Sequence, residues 1–191
     1  MLKELLSKFS GNNNNITAML NMAGTLQSLD PPETLFGFTY HGHCVPPFKP
    51  EHTLILGYGK GAIAELMRKV WGNDCKITGV DIRPFDYKYN EYKIETCDAH
   101  NFVKACSDIN IKKRFDYIVL DVFDTYRNVM PDFLFEAAFV MRLREICTRL
   151  LCVNVFLNDV KKMRAYYDYG FKFERNSNVY GNSVIYWSVK K

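Results

Sequence analysis

The 191-residue sequence has no apolar run approaching the ~20 residues that cross a bilayer, so no membrane partner is expected. Its opening, MLKELLSKFSGNNNN, lacks a long apolar stretch followed by a small-residue cleavage site. No secretory signal is read there, and a cytoplasmic location is expected. None of the six cysteines (Cys44, Cys75, Cys97, Cys106, Cys147, Cys152) forms a Cys-x-x-Cys pair, and most sit in apolar stretches. Buried free thiols in a reducing compartment follow. His41-Gly42-His43-Cys44 has no second Cys/His pair at zinc-like spacing, so no metal is expected. Strong charge of one sign is missing too. The net charge is +4, and Lys161-Lys162 with Arg164, and Arg142 with Arg144 and Arg149, read as solvated helix faces. A nucleic-acid footprint concentrates positive charge far more, so nucleic acid is not expected as a partner. No internal repeat is visible.

What is present suits one globular domain with an appendage. Hydrophobic residues make up 48% and charged residues 24%, which is ordinary. Aromatics reach 15%, so aromatic packing is expected in the core or a pocket. Residues 1–50 read as an N-terminal appendage or lid. Leu2, Leu5, Leu6 and Phe9 recur at helical spacing, then Gly11 and the run Asn12 to Asn15 interrupt, and Pro31-Pro32, Pro46-Pro47 and Pro50 mark further breaks.

Over residues 51–191 strands and helices alternate. Thr53 to Leu56 fits a buried parallel strand, and residues 61–72 follow with Ile63, Leu66, Met67 and Val70 at helical period. Lys76 to Val80, Tyr92 to Cys97, Phe115 to Leu120 and Leu150 to Phe156 are further strands. Between them, Pro84 to Tyr92 allows only a stunted helix, Ala99 to Ser107 reads as a helix, and residues 131–146 form another that opens on Pro131. A helix from Asn158 to Tyr169 ends at Gly170, and Phe171 to Arg175 and Ser183 to Val189 form an antiparallel hairpin. The pattern predicts an α/β, doubly wound, Rossmann-like fold: a mostly parallel seven-stranded sheet with a C-terminal antiparallel hairpin.

In such sheets a ligand binds beyond the carboxyl ends of the strands, where the strand order reverses. Gly57-Tyr58-Gly59-Lys60-Gly61 follows the first strand, and glycines let a backbone turn sharply and approach a ligand. Asp81 ends the second strand, suitably placed for ribose hydroxyls. Asp98 closes the third, where an adenine amino group or an ordinary helix cap would account for it. Asp121 and Asp124 follow the fourth strand, and two carboxylates delivered to one rim by an apolar strand point to chemistry. The rival reading is nicotinamide dinucleotide binding, since Gly57-x-Gly59-x-x-Ala62 satisfies the permissive dinucleotide pattern. Gly61, the acid pair and the terminal hairpin stand against it.

Leu54 to Gly61, Gly79-Val80-Asp81, Cys97-Asp98-Ala99 and Phe115 to Asp121 resemble the successive motifs of class I S-adenosylmethionine-dependent methyltransferases, most closely the spermidine/spermine synthase-like branch. Gly24-Thr25-Leu26-Gln27-Ser28 is similar to that branch's glycine–glutamine strand turn. Pro131 to Phe135 and Val153 to Phe156 also fit, and the resemblance covers about residues 22–160. It implies that Gly57, Tyr58, Gly59, Lys60 and Gly61 cradle the methionine part of S-adenosylmethionine or its decarboxylated form. Asp81 and Ile82 would serve the ribose side, Asp98 and Ala99 the adenine, and Gln27 would touch the nucleoside. Asp121 would face the reacting centre, holding or deprotonating an acceptor amine, with Asp124 and Tyr40 lining the acceptor pocket.

The departures from that pattern carry information. Aminopropyltransferases resemble one another in an aspartate where this chain has Lys60, an acid that binds the amine of the decarboxylated donor. An ammonium repels that amine and can pair with the carboxylate of ordinary S-adenosylmethionine. Thr125-Tyr126-Arg127-Asn128 replaces the branch's proline-containing loop, and the N-terminal β-domain is abbreviated. The expected activity is methyl transfer to a small-molecule acceptor, an amine among the candidates. Aminopropyl transfer to a polyamine and a non-catalytic nucleoside-binding subunit are the alternatives. Because polyamine synthases commonly associate, the resemblance is also compatible with a homodimer.

Overall fold

A computed structural model of the chain describes residues 40–84, 93–108, 115–124, 129–179 and 181–190. The readings of Leu2 to Phe9, the asparagine run, the Gln27 turn and the Thr125 to Asn128 loop lie outside them, as do residues 85–92 of the stunted helix.

The elements are α1 (Tyr40–His43), β1 (His52–Leu56), α2 (Ala62–Trp71), β2 (Lys76–Asp81), β3 (Lys93–Thr96), α3 (Ala99–Asp108), β4 (Phe115–Leu120), α4 (Ala137–Ile146), β5 (Cys147–Phe156), α5 (Arg164–Asp168), β6 (Phe171–Val179) and β7 (Asn182–Val189). Seven strands form one sheet in the order β3-β2-β1-β4-β5-β7-β6. β7 alone is reversed, pairing antiparallel with both β5 and β6.

Successive side chains of a strand point to opposite faces, and this alternation sorts the core into two layers. Leu54, Leu56, Ile118, Leu120, Val153 and Val155 pack with Val103 of α3, Val140 and Leu143 of α4 and Tyr166 of α5. Ile55, Tyr117, Val119, Cys152 and Tyr186 face the other way, onto Ile63, Leu66 and Met67 of α2 and Cys44 and Val45 of the preceding segment. That segment is tied to the sheet by tyrosine hydroxyls. Tyr117 donates to the Cys44 carbonyl, and Tyr186 donates to His43 at 2.6 Å and to Val45 at 3.0 Å. All six cysteines are free thiols, five of them buried.

Two helices differ from the expected continuous ones. Residues 131–146 split into a 3-10 turn, Asp132–Phe135, and α4, with Glu136 extended between them (φ −76°, ψ 138°). The Leu134 carbonyl, which would serve an unbroken helix, instead accepts the Tyr166 hydroxyl at 2.7 Å. After β5, residues Leu157–Met163 form a 3-10 helix before α5 begins. Val160, Met163 and Tyr166 all face the core at a spacing of three, which is the 3-10 period and not the α period. β5 also starts earlier than expected, at Cys147.

Candidate active site

β1 pairs with β2 on one side and β4 on the other, so the chain segments leaving β1 and β4 diverge and open a crevice. A cavity of about 390 Å³ lies there. Gly57, Tyr58, Gly59, Lys60, Asp81, Ile82, Asp98, Ala99, Asp121 and Asp124 all line it, and Tyr40 reaches it from α1. Gly61 does not, and Gln27 is outside the described residues.

The glycines do different work from that expected. Gly57 has φ +81°, and a Cβ there would overlap the Asp121 carbonyl oxygen. Its small size lets the ends of β1 and β4 meet. Gly61 (φ +86°) leaves room for the Tyr58 ring, which lies on Gly79 of β2 as well. Tyr58 is thus a core residue pinned by its own loop. Gly57, Gly59 and Lys60 remain on the cavity wall.

The loop's N–H groups are mostly consumed. Gly57 and Tyr58 donate to the Val80 carbonyl (2.8 and 3.0 Å), Gly59 donates to Asp81 Oδ2 (2.8 Å) and Gly61 to the Tyr58 carbonyl (3.0 Å). A pyrophosphate cradle needs such groups turned outward at the helix start. This loop has turned them inward, which counts against the dinucleotide reading.

Asp81 is buried, and its other oxygen accepts the Arg83 N–H at 3.0 Å and the Arg83 Nε at 3.4 Å. A carboxylate offers about four acceptor sites, so Oδ2 keeps capacity for a ligand hydroxyl beside the Gly59 N–H. Asp98 caps α3, its Oδ1 accepting the Asn101 N–H at 3.0 Å, while still lining the cavity. The residue is a helix cap and a cavity-lining carboxylate at once. Asp124 bridges to Val129, its N–H donating to the Val129 carbonyl at 2.9 Å.

Asp121 continues the β4 face that carries Tyr117 and Val119. Leu120 pairs with Val153, so the next residue on β5, the fully buried Asn154, stands beside it. Asn154 Nδ2 donates to Asp121 Oδ1 at 2.8 Å, and the Tyr40 hydroxyl bonds the same carboxyl group. Burial pushes Asp121 up to about 7; the Asn154 and Tyr40 hydrogen bonds oppose that rise and the Asp81 charge adds to it. Burial, followed by the charge of Asp121, holds Tyr40 well above its ordinary value, so its phenol stays protonated. His41, on the cavity wall, is pushed down to about 4 by burial and is neutral near pH 7.

Arg83, His41, Asn154, Phe123 and Phe133 belong to the site or its support and were not foreseen there. An amide inside the apolar run Leu-Leu-Cys-Val-Asn-Val-Phe was a usable signal for Asn154. In the sequence, His41 stands out only within the His41-Gly42-His43-Cys44 run. Among the described residues no group of three or more His, Cys, Asp and Glu is placed to hold a metal ion, and no helix is long and apolar enough to cross a membrane.

This sheet order, with its reversed seventh strand and a crevice at β1/β4, is the fold of class I S-adenosylmethionine-dependent methyltransferases, which spermidine synthases share. Among solved structures the chain is similar to SMU.776 in complex with SAH (TM-score 0.60, 10% identity, covering 81% of this chain and 50% of that one). It is similar to ribosomal protein L11 methylase from Lactobacillus delbrueckii subsp. bulgaricus (TM-score 0.55, 14% identity, 76% and 72%). It is also similar to spermidine synthase from Thermotoga maritima (TM-score 0.60, 14% identity, 84% and 62%). The chain therefore spans half the length of the first of these and under two thirds of the third. No protein-family model matches the chain, and no curated protein matches it by sequence.

Proposed function

We propose that the chain is an S-adenosylmethionine-dependent methyltransferase of the spermidine synthase-like group, acting on a small-molecule acceptor. Lys60 carries this reading. It is exposed at the cavity wall, and among the described residues no carboxylate pairs with it. An ammonium there suits the α-carboxylate of S-adenosylmethionine and opposes a donor that carries only an amine.

In this reading Gly59 and Lys60 hold the methionine end, Asp81 accepts from the ribose, and Ile82, Asp98 and Ala99 frame the adenine. The donor supplies a methyl group on a sulfonium. The acceptor nucleophile is aligned in the space between Asp121, Asp124 and Tyr40, and Asp121 takes the proton it loses. Residues 1–50 are proposed as an appendage to the domain of residues 51–191. Aminopropyl transfer is the second reading, favoured by Asp121 and Asp124 lining the same cavity as Tyr40. Release of methylthioadenosine from decarboxylated donor plus putrescine or spermidine would support it.

Titration calorimetry separates the two. S-adenosylmethionine is expected to bind up to about fivefold more tightly than its decarboxylated form, an exposed charge pair being worth no more than about 1 kcal/mol. Lys60→Asp is expected to reverse the order. Tighter binding of the decarboxylated form by the unaltered protein would remove the argument from Lys60.

A further inference from the structure

We propose that Asn154 is a positioning residue for Asp121, whose side-chain amide reverses its hydrogen-bond polarity as Asp121 gains or loses a proton. The observations are geometric. Asn154 is 0% exposed, and its Nδ2 lies 2.8 Å from Asp121 Oδ1. Its own Oδ1 is buried with no hydrogen-bond partner. Buried polar atoms are nearly always satisfied, and each exception calls for an explanation.

An amide carries a donor and an acceptor on the same planar group. With Asp121 ionised, Nδ2 donates to the carboxylate and Oδ1 is left without a bond. With Asp121 protonated, a half-turn of the amide presents Oδ1 to the Asp121 O–H, which then donates. Either state of the acid therefore finds a complementary partner at the same position. A leucine there would serve neither, and an aspartate would favour only the protonated form. The proton moves from the acceptor nucleophile to an Asp121 oxygen, no covalent bond to Asn154 forms, and the amide turns to follow it. This use in transfer rests on the proposed function, whereas the coupling is a property of the ligand-free protein.

Other ionisable groups act on Asp121 or share its cavity. Tyr40 and His41 come from α1 with Cys44 behind them, Asp81 from β2, Lys60 from the glycine loop, and Asp124 from its own loop. Tyr40 and Cys44 are pushed up by burial and His41 down to about 4, so these three keep one protonation state through neutral pH. A transition near neutrality in the Asp121 carboxyl is thus separable from theirs.

The test is an NMR titration of the ligand-free protein, following the Asp121 carboxyl carbon and the Asn154 side-chain amide, with Asp121→Asn to assign the carboxyl signal. The Asn154 amide nitrogen is expected to titrate with the same midpoint as Asp121. In Asn154→Leu the Asp121 midpoint is expected to rise by about one pH unit or more, a tenfold loss of ionised acid at a given pH. A side chain that only filled space would alter thermal stability and leave that midpoint in place, whereas the reversal itself is read by the amide signal. An amide signal that does not change through the Asp121 transition overturns the proposal, and this measurement does not depend on Asn154→Leu folding. Calorimetry with S-adenosylmethionine on the same sample keeps the two ideas distinct. Intact coupling with no donor binding would sink the proposed function alone.

Discussion

Asp121→Asn is expected to stabilise the ligand-free protein by up to about 4 kcal/mol above pH 7, and by almost nothing below pH 4. The sign follows from where the proton is held more tightly. Asp121 stands at about 7 in the folded chain against an ordinary value of 3.8. Between those values the folded state keeps a proton that the unfolded state has released, so stability falls as pH rises through the window and levels off above it. Asparagine keeps the shape and can still accept from Asn154 Nδ2, but has no charge to desolvate. Urea unfolding at pH 4, 6 and 8 reads the effect directly. Identical pH dependence for the variant and the parent would show that Asp121 ionises without penalty. An acid that titrates near neutral pH is what the proposed role of proton acceptor calls for.

Gly57→Ala is expected to cost more than 4 kcal/mol, in the range reserved for backbone collisions and strained dihedrals. Two independent penalties meet at this position. The dihedral φ of +81° is one that L side chains rarely adopt, and a Cβ would overlap the Asp121 carbonyl. Neither obstacle is the far end of a flexible side chain. Relief requires β1 and β4 to separate at their carboxyl ends, which breaks the 2.8 Å bond from the Asp121 N–H to the Leu56 carbonyl. Asp121 would move with it, so donor binding should fall together with stability. Chemical denaturation with a parallel calorimetric titration checks both. A Gly57→Ala protein of parental stability would mean that the two strand ends do not meet.

The sheet was legible because buried parallel strands are short, nearly continuous apolar runs, and Thr53 to Leu56 or Phe115 to Leu120 can hardly be anything else. The acids at their ends were legible for the same reason: Asp81 and Asp121 are the first charges after such runs. Helix continuity was less so. Tyr166 reaches the Leu134 carbonyl from a distant part of the chain, a tertiary bond that no local periodicity announces. The Val160, Met163 and Tyr166 spacing of three is present in the sequence, but apolar residues three apart fit an α pattern equally well.

The glycine loop shows the difference between a motif and its mechanics. Sequence gives three glycines after a strand; only the coordinates show that Gly57 makes room for Asp121 and Gly61 for Tyr58. Asn154 stands inside the Val153 to Phe156 run, with nothing along the chain to single out its partner. Its importance depends on β4–β5 register, which places residue 154 beside residue 121 and is invisible along the chain.

Mapping the binding site of S-adenosylhomocysteine by backbone amide NMR tests the central claim most directly. The shifts should concentrate on Gly59, Lys60, Ile82, Ala99 and Val122, around the cavity where β1 and β4 part. Perturbation on another face of the sheet, or none at millimolar ligand, would contradict an adenosyl site in that crevice.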